Sequence, residues 1–178
     1  MTARRKFLSL LMATTVLALG GAATASASDT VRVRDACDPA SFNAVLGDGA
    51  CVRDSSGSRV EFGSFVDRLI ESGSHPKWAF DRDRVRLDSG EALKVRFDRG
   101  GEGHTFTEVP QYGPGCVPDI NMLIGADGPP VVDCTDDVFG ATFIGPDRTS
   151  FEIDDLSRGT HRFMCLIHPW MRTTVSVR

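Results

Sequence analysis

The sequence predicts an all-β, Greek-key β-sandwich with a short helix in a segment that precedes it. Three observations carry the prediction. From Arg84 onward, apolar residues alternate with polar ones over short runs, the two-residue period of strands with one buried face. Clusters rich in Gly, Pro and Asp separate those runs, as turns between strands require. Five cysteines, an odd number, follow a leader typical of exported proteins, which points to disulfide staples and one thiol left over.

Residues 1–27 have the layout of a cleavable export signal. Arg4, Arg5 and Lys6 precede the apolar run Phe7 to Leu19, and Ala25-Ser26-Ala27 supplies the small residues of a cleavage site. The run is shorter than a bilayer span, which weighs against a retained anchor. The paired arginines also fit a twin-arginine signal, so the export route stays open. The expected location is periplasmic or extracellular.

The mature chain of about 150 residues is enough for one domain with a real core and too short for two. Within it, 28–80 reads as an N-terminal extension and 81–178 as the sandwich domain. No second apolar stretch approaches the length of a membrane span, and no Lys/Arg block is present to track phosphates. The formal net charge is -4, and loss of the basic leader makes the mature chain more acidic still. Nucleic acid is thereby excluded as a natural partner, and a docking face on another protein is favoured. The mature chain is expected to be a monomer.

In the extension, Val31-Arg32-Val33-Arg34 alternates apolar and charged residues and reads as an edge strand leading into Cys37. Phe65, Val66, Leu69 and Ile70 fall at helical spacing. Ser64 and Asp67 stand like a capping box ahead of them, and Gly73 offers the C-terminal stop. This is the one substantial helix expected in the mature chain.

Strand patterns follow at Val85 and Leu87, at Leu93, Val95 and Phe97, and from His104 to Val109. Asp88-Ser89-Gly90-Glu91 and Arg99-Gly100-Gly101 make the turns between them. Residues 110–148, rich in Gly, Pro and Asp, read as a long connection. Phe151 and Ile153 mark a short strand, and Thr160 to Cys165 and Met171 to Val177 mark the last two.

Cys37 and Cys51 bracket one turn-rich segment, and Cys116 and Cys134 bracket another. Four paired cysteines allow three connectivities, of which local pairing, Cys37–Cys51 and Cys116–Cys134, is the simplest. Each such loop would add about 3 kcal/mol of stability in the chain-entropy description. Cys165 is then the unpaired thiol.

Cys165-Leu166-Ile167-His168-Pro169-Trp170-Met171 joins two strand patterns and offers a Cys, a His and a Met on one tight loop. A metal that cycles between copper's two oxidation states suits a soft thiolate, borderline imidazoles and a weak thioether. The missing imidazole is best supplied by a separate strand, and His104, just after Gly100-Gly101-Glu102-Gly103, is placed for it. The candidate ligands are therefore His104, Cys165, His168 and Met171.

The Cys-x-x-His-x-x-Met spacing at 165, 168 and 171, with Gly159-Thr160-His161-Arg162-Phe163-Met164 leading to the Cys, resembles the cupredoxins, and among them the amicyanin-like and plastocyanin-like members. The resemblance covers residues 84 to 178, and His161 and Met164 stand where the family usually has aromatic residues. It implies one type 1 (blue) copper ion, no bond-making catalysis, and one-electron exchange with a redox partner protein docking near His168 and Trp170. Trp170 fits an apolar docking rim and packing against the sandwich end equally well. His161 points to the same strand face as Cys165 and reads as a buried, hydrogen-bonded histidine. His75 reads as a surface or turn residue.

Three rival readings follow from the same residues. A copper carrier or store would use the same ligands without an electron partner. A thiol enzyme with Cys165 as nucleophile lacks a visible third residue or oxyanion hole. A structural zinc site favours further Cys or His over Met.

Overall fold

The computed structural model describes residues 29–53, 57 and 59–178; the expected export signal at 1–27 lies outside the described residues. Two four-stranded sheets face each other. In the first, β1 (Thr30–Arg34) buries Val31 and Val33 and runs parallel to β4 (Leu93–Arg99). The two-residue β2 (Ala79–Phe80) covers the other side of β1, and β8 (Ser150–Ile153) pairs with β4, giving the order β2-β1-β4-β8. The edge position expected for 31–34 is thus corrected to an interior one. Alternation reports one buried face and is silent about lateral neighbours. The outward Arg32 and Arg34 instead meet Asp81 at 3.2 and 3.6 Å.

The second sheet has the order β3-β10-β9-β6, from β3 (Arg84–Leu87), β10 (Arg172–Val177), β9 (Gly159–Met164) and β6 (Thr107–Glu108). The run expected as one strand from His104 to Val109 is broken. β5 (His104–Thr105) pairs with β7 (Phe143–Ile144), and only β6 joins the main sheet. Between them Phe106 is buried in the core, stacked on Phe163 at 4.6 Å. Val31, Val33, Val95 and Phe97 from one sheet and Val85, Phe163, Val175 and Val177 from the other belong to one apolar core.

The one substantial helix expected is the longest among the described residues, and shorter ones accompany it. α1 (Pro39–Leu46) precedes α2 (Phe62–Ser72), and the long connection holds α3 (Pro118–Leu123) and α4 (Asp136–Thr142). The signal for α1 was present in Asp38-Pro39. Asp38 is the N-cap, accepting the Ser41 N–H at 2.9 Å, and Pro39 occupies the first helical turn, where its missing N–H costs nothing. Helices of six or seven residues in Gly- and Pro-rich sequence have too few turns to show a period.

α2 also begins earlier than the Ser64/Asp67 capping box suggested. Its N-cap is Glu61, and the Phe62 N–H is taken by the Ser41 hydroxyl of α1 at 3.1 Å, so a tertiary contact replaces the local cap. Gly73 does end the helix, at φ 65°, in the left-handed conformation that favours glycine. Disulfides join Cys37 to Cys51 and Cys116 to Cys134, and Cys165 carries none.

Candidate metal centre

Strand β9 delivers Cys165 to the end of the sandwich, and the chain turns at once. Met171 donates its N–H to the His168 carbonyl at 2.9 Å, and Cys165 donates its own to the Met171 carbonyl at 3.0 Å. This closed loop sets His168 Nδ1 3.7 Å from Cys165 Sγ. His104, at the start of β5, brings its Nδ1 to 4.0 Å from the same sulfur. The three ligand atoms lie within 4.8 Å of one another, and all three residues are buried. Metal–sulfur and metal–nitrogen bonds of about 2.3 and 2.0 Å at trigonal or tetrahedral angles put S and N about 3.5–3.8 Å apart, so the set fits a single ion. Met171 is buried at the far end of the same loop.

The sulfur has further partners. The backbone N–H groups of Thr105 and His168 each donate to Cys165 Sγ at 3.4 Å. The Leu166 N–H is held by Thr105 Oγ1 at 2.8 Å, tying the ligand loop to β5. Burial would raise the Cys165 pKa, yet hydrogen bonds from His104 and His168 bring it well below the ordinary thiol value. Burial likewise opposes charge on His104, but Asp35 and Cys165 raise its pKa to about 10. A cation bound between the sulfur and the imidazole nitrogens would take the place of any proton held there.

Two acidic residues at the site went unnoticed in the sequence. Asp35, buried just beyond β1, faces His104 Nε2 at 3.0 Å. Glu102 is also buried, accepts the Trp78 indole N–H, and has its Oε2 3.8 Å from His168 Nε2. Burial pushes the Glu102 carboxyl up, against the pull of His168. No spacing rule links positions 35 and 104. The signal available was a lone Asp at the end of an apolar strand, and that is common.

His168 is 2 % exposed. Phe65 of α2 meets its ring edge-on at 6.3 Å and Trp170 at 5.3 Å. Beside it lies a mostly apolar cavity of about 220 Å³ lined by Phe65, Val66, Ile120 and Leu123, with Glu102 and His168. Trp170 is half-buried and donates its indole N–H to the Trp78 carbonyl at 3.1 Å, so it is packed while still reaching solvent. His161 takes no part in the ligand cluster; its ring nitrogens face Glu108 at 2.7 Å and the Ser157 carbonyl at 2.8 Å. His75, read as a surface or turn residue, stands at a turn in which the Trp78 N–H bonds its carbonyl at 3.1 Å, and its ring is buried beside Phe65 and Trp78 at ring distances of 5.9 and 4.7 Å.

No family model matches the chain, and no curated protein matches it. Among solved structures it is similar to plastocyanin from Dryopteris crassirhizoma, at 22% identity over 57% of this chain and 89% of that one, with a TM-score of 0.36. Amicyanin from Paracoccus versutus matches at 19% identity over 59% of this chain and 77% of that one, with a TM-score of 0.34. Auracyanin A from Chloroflexus aurantiacus, described as a blue copper protein, matches at 15% identity over 56% and 89%, with a TM-score of 0.33. Scores at this level carry no weight of their own beside the strand order and the placement of His104, Cys165 and His168. The chain folds as a β-sandwich of two four-stranded sheets, with His104, Cys165 and His168 gathered at one end.

Proposed function

We propose that the protein is an exported one-electron carrier in which His104 Nδ1, Cys165 Sγ, His168 Nδ1 and Met171 would hold one type 1 copper ion. A single observation carries the reading: a buried cysteine sulfur flanked by two imidazole nitrogens and approached by two backbone N–H groups. A soft sulfur with borderline nitrogens suits both oxidation states of copper, and the bound ion would supply the one-electron couple. The protein's own part is to keep the ligands still. The loop closure at 165–171, the Leu166–Thr105 tie and the burial of all three ligands leave them little room to rearrange. The two N–H groups at the sulfur draw charge from it and tune the potential.

With His168 buried, a redox partner protein would approach over Trp170, whose ring stands 5.3 Å from that ligand. The visible spectrum of the oxidised, copper-reconstituted protein is the test. An intense thiolate-to-copper band is expected, and Cys165→Ser should abolish it. A Cys165→Ser protein that stayed blue, or a wild type without the band while Cys165 is reduced, would remove the assignment. The covered His168 edge favours a second reading, a copper carrier or store without an electron partner. Ready loss of copper to a chelator, with a potential outside any physiological range, would select it.

A further inference from the structure

Each oxygen of the Asp35 carboxylate has two partners. Oδ1 accepts the N–H groups of Cys37 at 3.2 Å and Gly101 at 2.9 Å. Oδ2 accepts the Glu102 N–H at 3.2 Å and faces His104 Nε2 at 3.0 Å. The three backbone groups can only donate, so a carboxylate is the state that satisfies them, and the fourth place also calls for a donor. His104 must then carry its proton on Nε2. Its other nitrogen, Nδ1, faces Cys165 Sγ at 4.0 Å and is the atom turned toward the ligand cluster.

The surrounding chain is shaped to keep this carboxylate in place. β1 and β4 run parallel, so Asp35 and the 100–103 turn leave the sheet at the same end, with the Asp35 N–H bonded to the Arg99 carbonyl at 3.1 Å. A Cβ at Gly100 would strike the Asp35 carboxylate, and Gly100 sits at φ 124°. A Cβ at Gly101 would fall 2.8 and 2.9 Å from the sulfurs of the Cys51–Cys37 disulfide. Val52 N–H and Arg53 Nε donate to the Gly101 and Gly100 carbonyls at 2.9 and 2.8 Å. The segment ahead of residue 80 therefore grips the turn that supplies His104.

We propose that Asp35 is a positioning residue for the metal centre: it holds His104 as the Nε2–H tautomer and sets a full negative charge behind the imidazole, which favours Cu(II) over Cu(I). This rests on the copper reading above. A carboxylate hydrogen-bonded to a ligating imidazole orients the ring and raises its basicity, and its charge stabilises the more positive oxidation state. The disulfide-bonded segment thereby acts on the centre without contributing a ligand.

Asp35→Asn removes the charge and turns a donor toward one of the occupied sites. The preference for Cu(II) over Cu(I) should fall at least tenfold, a rise in reduction potential of about 59 mV. Glu108→Gln, at the carboxylate–imidazole pair of His161 away from the ligand cluster, should leave the potential unchanged. A folded Asp35→Asn protein with the wild-type potential would overturn the inference.

Should Asp35→Asn not fold, nitrogen NMR of the wild-type protein loaded with Zn(II) decides the matter. A slowly exchanging His104 Nε2–H coupled to Asp35 supports the role, and a bare or freely exchanging Nε2 overturns it. The two proposals fail separately. A wild type with no charge-transfer band sinks the copper assignment, while the zinc measurement still tests the tautomer.

Discussion

At the residue scale, the sulfur of Cys165 and its neighbours determine how the centre responds to substitution. Met171 closes the ligand loop through its backbone, so its side chain can be changed without opening the loop. Met171→Leu is expected to keep copper bound and raise the reduction potential, which cyclic voltammetry reads directly. His75 gives a separate, pH-dependent effect. Burial, with repulsion from Lys77 and Arg68, lowers its pKa from 6.5 to about 4. The unfolded chain then takes up the proton more readily than the folded one. The His75 contribution to stability is complete above pH 6.5 and is lost as pH falls toward 4. Unfolding midpoints across that window should be flatter for His75→Gln than for the wild type; equal slopes would show that His75 does not drive the change.

At the element scale, the segment from Cys37 to Cys51 and the turn at 100–103 behave as one unit. Replacing both Cys37 and Cys51 with Ala should cost about 3 kcal/mol in denaturant unfolding, through the chain entropy the disulfide removes. Gly100→Ala adds a Cβ at a positive φ and against the Asp35 carboxylate, and a loss of about 1–3 kcal/mol is expected for such strain. Because the displaced group is Asp35, its potential should move in the same direction as in Asp35→Asn. A Gly100→Ala protein destabilised but unchanged in potential would separate the turn from the metal centre.

The same scale shows why some elements were legible and others hidden. β9, β10 and the loop between them were readable because alternation, Cys165, His168 and Met171 all lie within one short stretch of chain. α1 was hidden because Asp38-Pro39 serves equally as a turn and as a helix start. The true start of α2 was hidden because its cap is a hydroxyl from α1.

At the scale of the whole molecule, helices and a long connection cover the end of the sandwich where the ligands meet. Phe42, Phe65 and Trp78 are buried together, Phe65 lying 4.6 Å from Trp78 and 5.5 Å from Phe42, and Phe65 also meets His168. Phe65→Ala should cost about 3–5 kcal/mol as a large-to-small core change. It should also open the route to His168, seen as faster transfer of copper to a chelator. An unchanged transfer rate in the folded variant would show that copper leaves by another path.

Read alone, the chain gives most of its strand runs, a candidate ligand set and the expectation of copper, because each depends on residue type and on spacing over short stretches of chain. Tertiary structure alone decides the rest. Parallel pairing of β1 with β4 carries Asp35 to His104 across 69 residues, and packing of α2 over the ligand loop buries His168. The physical reason is that alternation and ligand chemistry are local, whereas which strands become neighbours and which face is covered depend on contacts between segments far apart in sequence.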